Sequence, residues 1–262
     1  MGKQSNSLNE PQDHFNSNFS NPEPDLRFSI ENADNRLRLA EKLFSLAVLE
    51  HENSKTKSIV VDHFRNSALN YLEFYNCDEL PERRDVLDIY YRVLPCLVCF
   101  CDDDALSRFS QLEEWRYCWP PLDPNPIEWN IVSELNIQSN VRRYLREVVK
   151  FIEQGKLDET SVCELISNLQ SNQGVEKMSI AKELSLGLFA LQAINNQQED
   201  ELCHHVLNLL RSHQQRARRG QLRGSDNGAL ALQAMMLIRL AEQKGMRLDL
   251  CEEYPAFCLL HP

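Results

Sequence analysis

A chain of 262 residues is long enough for one large or two small domains with a buried core. It contains only 8 glycines, while Leu, Glu, Gln, Arg and Ala dominate its periodic segments, a composition that favours helices over a sandwich or barrel. Its 39 acidic and 28 basic side chains give a net charge of −11, which disfavours a nucleic-acid-binding surface and suits either a basic partner or simple solubility.

The N-terminal sequence lacks the apolar core of a signal peptide, and no stretch of the chain approaches the roughly 18 apolar residues of a membrane span. We therefore expect a cytoplasmic protein with no membrane contact. Residues 1–28, rich in Asn, Ser, Pro and Gln, are expected to form a disordered or loosely attached tail. A single helical domain is then expected over residues 29–262.

Two amphipathic helices are predicted first in this domain. Apolar side chains recur at helical spacing in two runs, at Leu37, Ala40, Leu43, Phe44, Ala47 and Val48 and then at Val60, Val61, Phe64, Ala68, Tyr71, Leu72 and Tyr75. The connector between the two runs is short, so the helices are predicted to be antiparallel neighbours.

The next segment, residues 83–101, is almost uniformly apolar after Asp88, which is typical of a buried central helix. Pro95 is predicted to kink this helix or to mark the first turn of a new one, because proline has no backbone N–H. Three aspartates, Asp102 to Asp104, follow it and favour the N-terminus of another helix.

Residues 119–126 hold four prolines and are the strongest helix breaker in the chain. We call them the proline-rich seam and predict that they separate the two halves of the domain. The pattern of residues 127–157, after the seam, predicts one long or broken helix. A shorter helix is predicted to start at an Asp158 cap.

A helical hairpin is predicted near the C-terminus. Residues 184–194 form an apolar run, and after a polar break a second helix ends in LLRSH. The apolar stripe of that second helix comprises Leu202, Val206, Leu209, Leu210 and His213. A further helix is predicted from about 227 to 244, with Ser225, Asp226 or Asn227 as the N-cap and Gly245 at the C-terminal end.

The predicted fold is therefore all-α, an irregular stack of antiparallel helical hairpins with at most one short extended segment near 246–250. Residues 83–115 and 184–213 share a layout of apolar helix, polar break and amphipathic helix. This similarity lacks the fixed period of a named solenoid repeat.

Three pieces between Leu184 and Leu260 resemble the immunity protein 49 family. They are the hairpin that ends in LLRSH, the small and apolar helix GALALQAMMLIRLAEQKG, and the closing EEYPAFCLL after a short extended run. The last piece is similar to the family's terminal closure of an acidic residue with Tyr-Pro or Tyr-Leu-Pro. The resemblance implies a helical protein that neutralises a partner toxin in bacterial competition. It implies neither the identity nor the activity of that toxin.

If the protein binds a toxin, the aromatic and acidic side chains around the proline-rich seam are the expected contacts, because aromatic residues are common interface anchors and carboxylates attract a basic partner. These candidates are Asp102, Asp103, Asp104, Glu113, Glu114, Trp115, Trp119, Asp123, Glu128 and Trp129. For the aromatic side chains, burial against the core is the preferred interpretation and a contact role is the alternative.

His213 and Tyr254 are expected to have structural or contact roles. His213 lies on the apolar stripe of its helix and, by the resemblance, matches a histidine that the family often has near the end of this helix. It either anchors the following loop by a hydrogen bond or contacts the toxin. Tyr254 belongs to the closing segment.

No metal or cofactor is expected. Cys96, Cys99 and Cys101 have the close spacing of zinc ligands, but no second Cys or His pair stands at a usual distance, so buried thiols are the preferred interpretation. The nine cysteines are expected to be reduced. Cys203 and His204 are adjacent on a helix, where side chains point about 100° apart, so a nucleophile and base pair is not expected.

A basic island follows the predicted hairpin and comprises Arg211, Arg216, Arg218, Arg219 and Arg223. Because no aromatic residues are interleaved and the rest of the chain is acidic, it is interpreted as a solvated connector rather than an RNA site.

The expected function is thus binding of a cognate toxin domain, a nuclease being one case, by occlusion of its active site. The alternative is a non-catalytic helical adaptor or scaffold. An enzyme is not expected because no nucleophile, base and orienting group appear together.

Overall fold

The computed structural model describes residues 33–75, 86–112, 129–171, 180–220, 222–248, 250 and 254–260, with the backbone alone at 33–34, 129–137 and 171. The helices, in chain order, are α1 (Ala33–Glu52), α2 (Lys57–Tyr75), α3 (Val86–Asp88), a π-helical turn (Ile89–Val93), α4 (Leu94–Phe100), α5 (Asp103–Gln111), α6 (Trp129–Gln154), α7 (Glu159–Ser171), α8 (Ile180–Asn195), α9 (Glu199–Arg219), α10 (Asp226–Ala229), α11 (Leu232–Gln243) and a 3-10 helix (Pro255–Leu260). The described residues contain no strand, so the all-α prediction is confirmed. The tail 1–28 and the proline-rich seam lie outside the described residues.

Helices α1 and α2 form the predicted antiparallel hairpin. The Phe44 and Phe64 rings meet edge to face with centroids 5.4 Å apart, and the Ser67 hydroxyl donates to the Ala40 carbonyl at 2.7 Å. Going back along α1 from Phe44 to Ala40 corresponds to going forward along α2 from Phe64 to Ser67, as in an antiparallel pair. The tight connector reverses at Ser54, which has a φ of 54°.

The central helix is buried, as predicted, and Pro95 stands in the first turn of α4. The π-helical turn before it is explained by proline chemistry. The Leu94 N–H bonds to the Ile89 carbonyl, five residues back, and the next such bond would join residue 95 to Tyr90. Pro95 has no N–H to give, so the Tyr90 carbonyl instead accepts from the Gln233 side-chain amide of α11.

The C-terminal hairpin is formed by α8 and α9. All five residues of the predicted α9 stripe are buried. Helix α8 approaches α6 closely at Gly187, where an added Cβ would lie 2.7 Å from the Tyr144 hydroxyl oxygen. The long helix after the seam is unbroken over Trp129–Gln154, and Asp158 caps α7 by accepting from the Ser161 N–H at 3.3 Å.

The prediction of one continuous helix over 227–244 is wrong in one respect, because the helix is broken between α10 and α11. Leu230 is extended, and the Ala231 N–H donates to the Tyr254 hydroxyl at 2.7 Å instead of continuing the helical pattern. The C-terminal end matches the prediction, since Gly245 has a φ of 82° and Met246 N–H bonds to the Ala241 carbonyl at 3.0 Å. A short extended segment was expected near 246–250, and the described residues there form no strand.

One hydrophobic cluster contains buried residues from both sides of the seam. Tyr90 of the π-helical turn meets Tyr144 of α6 edge to face at 5.6 Å, and α4 packs directly against α11. The helices on the two sides of the seam therefore share a core.

Candidate binding surfaces

An acidic groove lies between α5 and α6, with a volume of about 670 Å³. Its described lining residues are Leu94, Asp103, Leu106, Ser107, Phe109, Ser110, Gln111, Val149, Ile152, Glu153 and Gln243. These include two carboxylates and no lysine or arginine. The exposed Asp103 and Glu153 thus lie on the rim of a groove with an apolar floor.

The three consecutive aspartates have separate positions. Asp102 caps α5, because its carboxylate accepts from the Ala105 N–H at 3.0 Å. Asp103 lines the acidic groove, and Asp104 is exposed in the first turn of the same helix. The cation of α5, Arg108, is held by Glu73 of α2 rather than by the groove carboxylates.

The other predicted contact residues fall outside this description. Glu113, Glu114, Trp115, Trp119, Asp123 and Glu128 lie outside the described residues, as does the side chain of Trp129, where α6 begins. Glu153 was not predicted. It is 50 positions from Asp103 in the sequence. The sequence indicated only that Glu153 lies on the exposed face of an amphipathic helix, not that it lies near Asp103.

His213 is buried in α9 at 7% exposure. Burial lowers the pKa of its imidazole to about 4, although a hydrogen bond with the Gly228 backbone favours the charged form. The nearby Arg216 guanidinium acts in the same direction as burial. His213 is therefore a neutral side chain near the Gly228 backbone, and its role as an anchor for the following segment stays a prediction.

Tyr254 is half-buried and packs edge to face against Phe257, with ring centroids 5.0 Å apart. Its hydroxyl accepts the Ala231 N–H at the start of α11, so the closing segment satisfies a donor that this helix end would otherwise leave unpaired.

The interpretation of the basic island as a connector is wrong for most of its length. Helix α9 continues to Arg219, so Arg211, Arg216, Arg218 and Arg219 are helical. Arg216 is buried at 2% exposure, where its Nη1 donates to Glu183 Oε2 of α8 at 2.5 Å. Its guanidinium also lies 5.7 Å from the centroid of the Tyr91 ring.

Burial raises the pKa of Glu183 to about 7 and outweighs the opposing effect of Arg216. The composition of the segment could not reveal this ion pair, because the partner lies 33 residues earlier, in another helix. The sequence thus marked Arg216 as solvated, whereas the fold makes it the largest fully buried side chain described.

The clustered cysteines are thiols within the core. Cys96 and Cys99 are buried, as expected, and burial raises the pKa of both thiols well above the usual value. Burial also raises the pKa of the partly exposed Cys101 to about 12. These groups are protonated at neutral pH and poor nucleophiles. Among the described residues, no three His, Cys, Asp or Glu side chains are grouped for metal binding.

Neither a family model nor a curated protein nor a solved structure matches this chain. In the part of the chain that the structure describes, no helix combines the length and apolarity needed to cross a membrane. The acidic groove is the surface with the clearest chemical preference, since its described charges all have one sign.

Proposed function

We propose that this protein is a cytoplasmic immunity protein that binds a cognate bacterial toxin domain and covers its active site, without catalysis of its own. The acidic groove is the observation that carries the proposal. Asp103 and Glu153 stand on its rim over Leu106, Phe109 and Ile152, with no lysine or arginine among the described lining residues. The likeness of residues 184–260 to the immunity protein 49 family supports the same function.

Electrostatics favours a basic partner at this groove. The described lining carries two carboxylates and no lysine or arginine, which favours a negative potential in the groove, and the net charge of −11 adds to it. Such a field accelerates encounter with a positively charged protein and disfavours an acidic one. A nuclease fits this requirement because its active site must attract phosphate. The other sequence-based candidates, Glu113, Glu114, Trp115, Trp119, Asp123, Glu128 and Trp129, remain predicted toxin contacts.

The first test is protection of cells by co-expression with the toxin domain encoded beside the gene, followed by binding kinetics on the purified pair. The variant D103N/D104N/E153Q removes three exposed carboxylates with little change of shape. We expect its association rate constant to fall about tenfold at low salt, with a smaller difference at high salt, because rim charges act mainly on the encounter.

The matched control is D200N/E201Q on the exposed first turn of α9, combined with E159Q on the first turn of α7. It removes the same number of charges from residues that do not line the acidic groove and should leave association within about twofold of the unmodified rate. Equal losses in both variants would show that overall charge, not this groove, attracts the toxin. No protection and no binding by the unmodified protein would overturn the proposed function.

A further inference from the structure

The acidic groove has one carboxylate on each side, Asp103 on α5 and Glu153 in the last turn of α6. Both side chains are exposed, and within the part of the chain that the structure describes neither takes part in an ion pair or a side-chain hydrogen bond. An ionised carboxylate can only accept hydrogen bonds. The two sides of the groove therefore offer acceptors for which the described residues supply no donor.

The cations that directly neighbour the lining residues in sequence are bonded elsewhere. Arg108 is paired with α2. Lys150 Nζ lies 3.1 Å from Glu147 Oε1 on its own helix, and Lys244 Nζ donates to the Gly155 carbonyl at 2.7 Å. None of these three cations lines the acidic groove. They therefore leave the charge of its two carboxylates available to a partner.

The neutral polar side chains of α5 in this groove donate hydrogen bonds within their own helix. The Ser110 hydroxyl donates to the Ser107 carbonyl at 2.9 Å, and the Gln111 side-chain nitrogen donates to the Ser107 hydroxyl oxygen at 3.2 Å. All three residues line the groove. These bonds use donors and leave the carboxylates open, so the lining suits a ligand that is rich in N–H donors.

The same lining contains apolar side chains. Leu106, Phe109 and Val149 are buried beneath the groove, and Ile152 is half-buried. A long aliphatic stem can pack on such a surface while the charged group at its end stays with carboxylates. Lysine and arginine are the two side chains built in this way.

From this combination we infer that the acidic groove receives an arginine side chain of the toxin, an inference that rests on the proposed function. The methylene stem of this arginine packs against Leu106 and Ile152, and its guanidinium donates to Asp103 and Glu153. Arginine fits better than lysine, because its planar fork of five N–H donors can bond carboxylates on two sides, whereas an ammonium is a compact and strongly hydrated charge. The groove thereby holds an anchor of the interface.

The probes are three fluorescein-labelled peptides of about ten residues that differ only at one central position, which has leucine on either side. That position holds arginine, lysine or citrulline, which is the uncharged analogue of arginine with nearly the same shape. Binding to the full chain is followed by fluorescence anisotropy. We expect the arginine peptide to bind at least about tenfold more tightly than the citrulline peptide and about threefold more tightly than the lysine peptide. The preference over citrulline should weaken as salt is raised.

The variant D103N/E153Q should weaken binding of the arginine peptide at least about tenfold and leave binding of the citrulline peptide within about twofold, because it removes only the charge contact. The matched control is D200N/E201Q, which removes two exposed carboxylates of α9 that do not line the groove. The control should keep the full preference for arginine. Far-UV circular dichroism of every variant separates lost binding from lost folding.

Several outcomes would overturn the inference. These are no binding of the arginine peptide, equal binding of the arginine and citrulline peptides, and a preference for arginine that D103N/E153Q keeps or that the control also loses. If the protein protects cells but shows no preference for arginine, the inference fails and the proposed function stands. A preference for arginine in a protein that neither protects cells nor binds the toxin would overturn the proposed function and, with it, the toxin as the source of the arginine.

Discussion

At the scale of single residues, buried titratable groups give this protein its pH dependence. His213 has a lowered pKa, about 4, against an ordinary value of 6.5. Its contribution to stability is present above pH 6.5 and is lost as the pH falls toward 4, because the unfolded chain binds the proton more readily. Over the full window the loss is on the order of 3 kcal/mol.

We therefore expect the H213Q variant to lose less stability on acidification than the unmodified protein. The measurement is the free energy of unfolding in urea at several pH values between 7 and 4. Glu183 supplies the control, since its raised pKa of about 7 gives stability that is present below pH 4.5 and lost as the pH rises through 7. E183Q should thus steepen the acid loss. Parallel pH curves for H213Q and the unmodified protein would contradict this account.

At the scale of helices, the hydrogen bonding around the π-helical turn involves Pro95, Tyr144 and Gln233, which are far apart in sequence. Pro95 withholds the N–H that would bond to Tyr90, and Gln233 supplies the missing donor. The Gln233 carbonyl oxygen in turn accepts from the Tyr144 hydroxyl at 3.2 Å. Removing this amide leaves a buried carbonyl and a buried hydroxyl without partners, at about 1–3 kcal/mol for each group.

The variant Q233L should accordingly lower the free energy of unfolding by about 2–4 kcal/mol, measured by urea denaturation with circular dichroism. In a P95A background the loss should be smaller, because the substituted alanine restores a backbone donor within reach of the Tyr90 carbonyl. We expect a coupling energy of at least about 1 kcal/mol between the two substitutions. Additive effects would show that Pro95 is not the reason for the Gln233 hydrogen bond.

Periodicity predicted α1, α2 and α9, because each carries an apolar stripe that a 3.6-residue repeat places on one face, whereas α8 was predicted from its continuous apolar run. It did not predict the break before α11. That break depends on Tyr254 accepting the Ala231 N–H, a contact across 23 residues that no local pattern encodes. Of the two carboxylates in the acidic groove, only Asp103 was predicted, because it belongs to a local cluster of aspartates. Glu153 is distant in sequence, and no local pattern marks it as a neighbour of Asp103.

At the scale of the whole molecule, the buried Arg216 side chain joins the halves on either side of the seam through its contact with Tyr91. Arg216 of α9 is bonded to α8 and packs against Tyr91 of the central helix. Both side chains are 2% exposed, so their attraction offsets part of the cost of burying each charge.

The variant R216M should destabilise the protein by about 3–5 kcal/mol, because it leaves the Glu183 carboxyl buried without its cation. The double variant E183L/R216M should recover most of this loss, since two apolar side chains need no counter-charge. Thermal unfolding followed by circular dichroism measures both. A double variant no more stable than R216M would mean that the pair contributes through packing rather than through charge compensation.

The Tyr144 contacts also set how the helices are oriented about their own axes. Because Gly187 has no Cβ, α8 leaves space for the Tyr144 side chain, whose hydroxyl donates to Gln233 of α11. Gln233 must then present its nitrogen to Tyr90, because its oxygen is occupied. The two hydrogen bonds form a series in which Tyr144 of α6 donates to Gln233 of α11, and Gln233 donates to Tyr90 of the π-helical turn. Rotating any of these elements by one residue would break the series, so it selects a single rotational setting for each element where an apolar core alone would accept several.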